Sequence, residues 1–277
     1  MGIKETSLSC AYSTCPNDTF IFDAWINGKL GKGVPQVKCC LEDISTLNEM
    51  AFKGELDVVK VSFYAYGMLR DRYALLNAGG ALGRGCGPLL VAKTDRINRQ
   101  SLADPKITVA VPGRWTTANL LVCLYQPALK NRLFMRFEQI MPAVAREDAD
   151  AGVIIHEGRF TYKNHGLVMV EDLGAWWETT TGYPIPLGGI IAARSLGKKK
   201  ISAVESAIRK SLRAALSDPD SPLEFMKRHA GEMDTDVLRS HVDLYVNSYS
   251  LDYAKDGRQA INYLMERAEE KGLFQTF

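Results

Sequence analysis

Between residues 7 and 72 short strand-like stretches alternate with helical ones, and that rhythm constrains the fold more than any other feature. Ser7 to Tyr12 reads as a strand, and STCPNDTF, residues 13 to 20, as a turn. Asn17 or Asp18 of that turn can cap the helix that carries Phe20, Ile21, Ala24 and Trp25. After the turn GKLGKGVP comes a strand from Gln36 to Leu41. Thr46 and Glu49, at capping-box spacing, open a short helix that ends near Gly54. DVVKVSF, residues 57 to 63, is a third strand, and Lys60 and Ser62 within it suggest that it reaches a solvent-accessible edge. A helix from Tyr64 to Arg72 follows. Such a βαβαβ series implies a parallel sheet with right-handed crossovers.

The glycines of GGALGRGCGPLLVAK, residues 79 to 93, do not form a nucleotide loop, because they precede a strand and lack GxGxxG spacing. From Lys106 a second strand-turn-helix unit runs through KITVAVPG and GRWTTAN into LLVCLYQPAL. Phe134 to Phe137 and Ala151 to Ile155 are read as further strands of it, and IPLGGIIAAR as a returning strand. Helices are expected near 201 to 216, 221 to 230, 234 to 247 and 256 to 271, the last closed by Gly272. The expected architecture is α/β and two-lobed, with crossings near 88 to 93 and 186 to 194, a central cleft and a helical C-terminal tail. Residues 1–92 with 191–277 would form the first lobe, on which the tail packs, and residues 93–190 the second.

The chain has 277 residues, ample for a substantial core, and its net charge of +2 leaves no basic field for nucleic acid. Lys198-Lys199-Lys200 is a solvated run at a helix start. The first twenty residues lack the layout of a secretory signal, and no apolar run is long enough to span a bilayer, so neither a membrane nor export is expected. Met1 to Thr6 fit the loose myristoylation pattern, which matches by chance and is read so here. Cys10, Cys15, Cys39, Cys40, Cys86 and Cys123 show no paired CxxC motifs and are read as reduced thiols of a cytoplasmic protein.

AGVIIHEGRF, residues 151 to 160, is an apolar strand that ends on a histidine and a carboxylate. His156 would stand at the carboxyl edge of a parallel sheet, where ligands of open α/β folds bind, and its neutral-range pKa suits proton transfer. The same position also suits a histidine that only hydrogen-bonds a neighbouring loop. Glu157 can orient His156 or form a surface ion pair beside Arg159. HExxF lacks the second histidine of a zinc-protease helix, and His165, His229 and His241 show no ligand spacing, so no metal is expected. STCPNDTF, KVSF and GRWTTAN each bring hydroxyls or amides to a helix start, where an anion such as a carboxylate is favoured. Plain capping is the alternative for each. No GxSxG elbow surrounds Ser62 or Thr117. Trp176 and Trp177 can flank a flat ligand or pack a lobe.

SxCPNDTFIF, EDISTLN, KVSFYAY, GGALGRGxGPLLVA, VPGRxTTA, IIHEGRFTY, DLGAWWE and PLGGI occur in this order over nearly the whole chain. Together they resemble the 1,4-dihydroxy-6-naphthoate synthase family of menaquinone biosynthesis. The resemblance implies a fold like the type II periplasmic binding proteins. It implies a cytoplasmic, cofactor-independent lyase that converts cyclic dehypoxanthine futalosine, a small carboxylate, to 1,4-dihydroxy-6-naphthoate and releases the ribose-derived fragment. His156 would be the proton acceptor. Lys60, Val61, Ser62, Thr117 and Ala118 would contact substrate, and Asn17, Arg84 and Thr116 stand in matching motifs. The motif around His156 shows no departure, whereas Trp115 occupies a variable position. A chorismate dehydratase of the same fold and pathway is disfavoured by PNDTF and IIHE. A non-catalytic carboxylate-binding protein would normally carry an export signal, and a regulator a DNA-binding module. A homodimer stays open.

Overall fold

The computed structural model describes residues 7–156, 158–230 and 234–274, so Glu157 and the myristoylation pattern lie outside the described residues. The elements in order are β1 (Leu8–Ser13), α1 (Pro16–Ile26), β2 (Val37–Glu42), α2 (Ile44–Lys53), β3 (Val58–Ser62), α3 (Phe63–Leu69), β4 (Tyr73–Leu75) and β5 (Ala81–Gly83). Then come β6 (Leu89–Ala92), β7 (Thr108–Val111), α4 (Thr117–Tyr125), β8 (Asn131–Phe134), α5 (Phe137–Ala145), β9 (Ala151–Ile154), α6 (Gly158–Thr161), β10 (Val168–Asp172) and α7 (Leu173–Thr181). The chain ends through β11 (Ile185–Ala193), α8 (Gly197–Ser217), α9 (Leu223–Ala230), α10 (Thr235–Tyr245), α11 (Ser248–Leu251) and α12 (Ala254–Glu270).

The chain divides into two compact units, Met1–Ala81 with Gly188–Ala254, and Leu82–Leu187 with Lys255–Phe277. The first crossing therefore falls at β5 rather than at residues 88 to 93. Those residues form β6, which sits inside the second unit's sheet between β10 and β9. The second boundary falls within β11. The last helix groups with the second unit and not with residues 191–254, because its Tyr263 packs on that unit's aromatic side chains. Its ring centroid lies 5.8 Å from Trp177 and 5.2 Å from Tyr183.

In the first unit the strand order is β2-β1-β3-β11-β4, with β5 also paired to β11. β1 runs parallel to β2 and β3, as the βαβαβ rhythm requires, and β11 returns antiparallel to β3 and β4. β3 is not an edge, because β1 and β11 cover both its sides and every residue from Val58 to Ser62 is buried. Polar residues in that strand mark internal partners instead. α1 is buried from Pro16 to Trp25. Its Phe20, Phe22 and Trp25 join Leu8, Cys10 and Tyr12 of β1 and Val204, Ile208 and Leu212 of α8 in one core. α2 starts at Asp43, whose carboxylate accepts from the amides of Ser45 and Thr46, so Asp43 and not the Thr46–Glu49 pair makes the cap. Gly54 ends it in the left-handed conformation that glycine adopts at least cost.

In the second unit the order is β10-β6-β9-β7-β8. β9, β7 and β8 run parallel, and β6 is antiparallel to β9 and β10. The strand expected at Phe134 to Phe137 ends at Phe134, because Arg136 is the N-cap of α5 and Glu138 stands in its first turn. Leu89, Val91, Ala110, Ile140, Val144 and Ile154 form the core of this sheet. Among the described residues, no helix is long and apolar enough to cross a membrane. All six cysteines are free thiols.

One close approach fixes α7 against the start of β6. A Cβ added to Gly87 would lie 2.3 Å from the Cα of Gly174, and one added to Gly174 would lie 2.7 Å from the Cα of Gly87. Backbone faces backbone there, so no side chain can yield. Gly87→Ala is expected to destabilise the protein by about 1–3 kcal/mol, the usual cost of overpacking. A thermal midpoint equal to that of the unaltered protein would contradict this packing.

Candidate functional site

β1 and β3 are parallel neighbours, so their carboxyl ends leave the first unit's sheet on the same edge. At that edge the Asp18 carboxylate, with 0% exposure, gathers four donors. Ser13 Oγ donates to Oδ2 at 2.6 Å and Ser13 N at 3.3 Å. Asn17 Nδ2 donates to Oδ1 at 2.9 Å and Lys60 Nζ at 2.7 Å. Lys60 is 5% exposed, and its ammonium also reaches the Gly79 carbonyl at 3.4 Å. Neither Asn17 nor Asp18 caps α1, whose N-cap is Cys15 without a side-chain cap bond. Pro16 opens the helix with the preset φ that suits its first position. The Asn17 and Asp18 side chains are thereby free of capping and turn to the edge of the sheet.

Val61 and Ser62 continue the same edge, paired in register with Gly189 and Gly188 of β11. The Asn48 side chain grips Ser62 twice, with its Nδ2 donating to Oγ at 3.1 Å and its Oδ1 accepting from Ser62 N at 2.9 Å. Because that bond uses Oγ as acceptor, the Ser62 O–H proton can point elsewhere. The four expected residues of this unit, Asn17, Lys60, Val61 and Ser62, are thus brought together, with Ser13, Asp18 and Asn48 joining them.

In the second unit β7 and β9 are parallel neighbours, so the turn into α4 and the segment bearing His156 leave on one edge. Thr116 is the N-cap of α4: its hydroxyl accepts from Asn119 N at 3.2 Å and donates to Gly113 O at 3.0 Å. Thr117 Oγ1 donates to the Leu187 carbonyl at 2.6 Å. These hydroxyls do the work of capping and anchoring. Thr117 and Ala118 form the first turn of α4, the end of a helix at which partial positive charge gathers.

His156 lies two residues beyond β9, half-buried, with φ of 57°, in the left-handed region that non-glycine residues seldom adopt. Its ring meets Phe137 edge-on, centroids 4.9 Å apart. A cavity of about 220 Å³ lies alongside, lined by Phe137, Ile154, Ile155 and Gly158 with Glu138 and His165. The chain after it is tied down by Arg159, which donates to the Gly87 carbonyl and pairs with Asp172 Oδ2 at 2.6 Å. Asp172 also caps α7 through its other oxygen, at 2.9 Å from Gly174 N and 3.0 Å from Ala175 N. A residue in a strained conformation, held between a packed strand and a charge-paired arginine, is a feature that clusters at functional sites.

Arg84 stands elsewhere. It donates to Gly182 O at 2.8 Å and lies 3.7 Å from Glu178, partners on α7 and at its end that include no expected site residue. Trp177 is buried, donates to Pro184 O and meets Tyr263, and Trp176 meets Tyr125 edge-on, so both pack their own unit. The buried thiols are poor nucleophiles: burial pushes Cys86 up to about 12 and raises Cys123, and a hydrogen bond with Cys39, aided by burial, raises Cys10. Among the described residues no group of three or more His, Cys, Asp or Glu side chains is arranged to hold a metal ion.

The family model described as menaquinone biosynthesis matches residues 8–270. A curated relative from Thermus thermophilus, named 1,4-dihydroxy-6-naphthoate synthase, is 46% identical over 267 residues, 96% of each chain. A crystal structure of a protein from Archaeoglobus fulgidus is 35% identical, with a TM-score of 0.89 over 98% of this chain and 100% of that one. The periplasmic aliphatic sulphonate binding protein of Escherichia coli, at 13% identity, superposes with a TM-score of 0.66 over 96% of this chain and 88% of that one. That last likeness concerns the fold alone, and it is the periplasmic-binding-protein-like α/β fold expected from the sequence.

Replacing Asp18 by Ala leaves the Lys60 ammonium buried without its counter-charge, a loss of about 3–5 kcal/mol. The double replacement Asp18→Asn with Lys60→Met is expected to recover a large part of that loss in chemical denaturation. Equal, additive losses from the two sites would contradict the pairing.

Proposed function

Since the chain belongs to the menaquinone biosynthesis family and, within it, to the 1,4-dihydroxy-6-naphthoate synthases, we propose that it converts cyclic dehypoxanthine futalosine to 1,4-dihydroxy-6-naphthoate with His156 as general base. The reaction is a carbon–carbon lyase step in the cytoplasm and draws on no resident cofactor. The imidazole takes a proton from a carbon next to a carbonyl. Elimination then breaks the link to the sugar-derived fragment, and the ring system becomes aromatic, which supplies the thermodynamic pull. General-base assistance of this kind contributes about 10²–10⁴-fold.

The observation that carries the reading is His156 itself. It combines a left-handed backbone, an apolar strand before it and an arginine clamp after it, in the IIHE motif of a chain 46% identical to a named synthase. The start of α4, at Thr117 and Ala118, suits a carboxylate because partial positive charge gathers at a helix N-terminus. Thr116 orients that turn through its cap. Within the first unit, Lys60, Val61 and Ser62 are the candidate substrate contacts, with Asn17 supporting the Lys60 ammonium through Asp18. Arg84 is assigned to holding α7 and not to substrate, on the strength of its two partners there.

His156→Asn keeps roughly the size and polarity of the side chain but removes the imidazole that would take the proton. Turnover of the futalosine derivative is expected to fall at least about 100-fold with the thermal midpoint nearly unchanged. Turnover near that of the unaltered enzyme would remove His156 from the role of base. Binding of the substrate by the unaltered protein without any product would replace the enzyme reading with that of a binding protein.

A further inference from the structure

We infer that His241, on the helical tail, is a positioning residue that fixes the Asn17 amide and, through Asp18, the Lys60 ammonium. His241 is 1% exposed, on α10, and its Nε2 lies 3.1 Å from Asn17 Oδ1. The direction of each bond in the chain follows from chemistry. A carboxylate paired with an ammonium can only accept, so the Asn17 atom 2.9 Å from Asp18 Oδ1 is the amide nitrogen. The Asn17 oxygen then faces His241, and an oxygen can only accept. His241 must therefore carry a proton on Nε2.

The amide is thus held at both ends, and a flip would place oxygen against carboxylate and NH₂ against an N–H donor. Tyr245, one turn further along α10, holds the imidazole ring with centroids 4.5 Å apart at 39°. The ordered series is His241 to Asn17 to Asp18 to Lys60, with Ser13 closing the carboxylate's other oxygen at 2.6 Å. Asn17, Asp18, Lys60 and Ser13 have exposures of 6%, 0%, 5% and 3%, so water does not substitute for a missing member at low cost. Supporting residues of this sort orient the groups that touch a ligand. The inference concerns substrate binding only in so far as the proposed role of the Lys60–Ser62 edge holds, but the side-chain geometry stands apart from it.

The test uses the full chain, labelled in histidine and lysine for NMR, as the unaltered protein and as His241→Gln and His241→Leu. Glutamine can place an amide N–H where Nε2 lies, and leucine cannot. In the unaltered protein His241 is expected as the Nε2–H tautomer, and the proton on Nδ1 alone would overturn the inference without recourse to any variant. The Lys60 ammonium signal is expected to stay in place in His241→Gln and to move or broaden in His241→Leu. An unchanged Lys60 signal in His241→Leu, or the same change in both variants, would overturn it. With the futalosine derivative, His241→Leu is expected to raise KM about tenfold with kcat little changed, the scale of one buried acceptor left unsatisfied, and His241→Gln to restore it. If the unaltered protein turns nothing over, the proposed reaction fails, while the tautomer and Lys60 signals still decide the role of His241.

Discussion

A buried ion pair organises the first unit. Taking Asp18 and Lys60 out of water costs several kcal/mol per ion, and the attraction between them offsets this only if every remaining lone pair and proton finds a partner. The surroundings meet that demand residue by residue. Ser13 supplies two donors, Asn17 a third, and the Gly79 carbonyl takes a second proton of Lys60. Satisfying the pair requires β1, the start of α1, β3 and the end of the β4–β5 connection to meet at one place. The polar edge is therefore built by the same contacts that set the order of the strands.

The second unit builds its edge from strain and tethering rather than from buried charge. His156 adopts a left-handed φ directly after an apolar strand, and the chain beyond it is retained by Arg159, Asp172 and the close approach of Gly87 to Gly174. Asp172 both caps α7 and binds the arginine, so the helix and the segment after His156 share one carboxylate. On the same edge Thr116 caps the start of α4, and the Thr117 hydroxyl donates to the Leu187 carbonyl.

Much of this was legible in the sequence. β1, β2, β3, β6, β7, β9 and β11 coincide with the expected strands within a residue or two, and α9, α10 and α12 with the expected tail helices, while α8 starts four residues before its expected position, because periodicity marks the middle of an element better than its ends. The expectation that β3 reaches a solvent-accessible edge fails for a physical reason: all its residues are buried. A lysine and a serine within a strand usually mean solvent, and only the partners Asp18 and Asn48, 42 and 14 residues away, make them internal. Capping was misassigned at α1 and α2 because several Asx and hydroxyl residues crowd each start and spacing alone does not choose among them. β10 and α7 were missed as a strand and a helix. The tail helix α12 was assigned to the wrong unit because its apolar face gives no hint of which aromatic residues will cover it. His156, Lys60 and Asn17 carried motif signals; His241 carried none, since a lone histidine on an amphipathic helix looks like any other until its neighbour is known.

The most direct measurement is to incubate the purified, unaltered protein with cyclic dehypoxanthine futalosine, with nothing else added, and to follow the mixture by mass spectrometry. Stoichiometric appearance of 1,4-dihydroxy-6-naphthoate together with the sugar-derived fragment is expected. Unconsumed substrate at an enzyme concentration that binds it, or a product that retains the sugar fragment, would contradict the assignment.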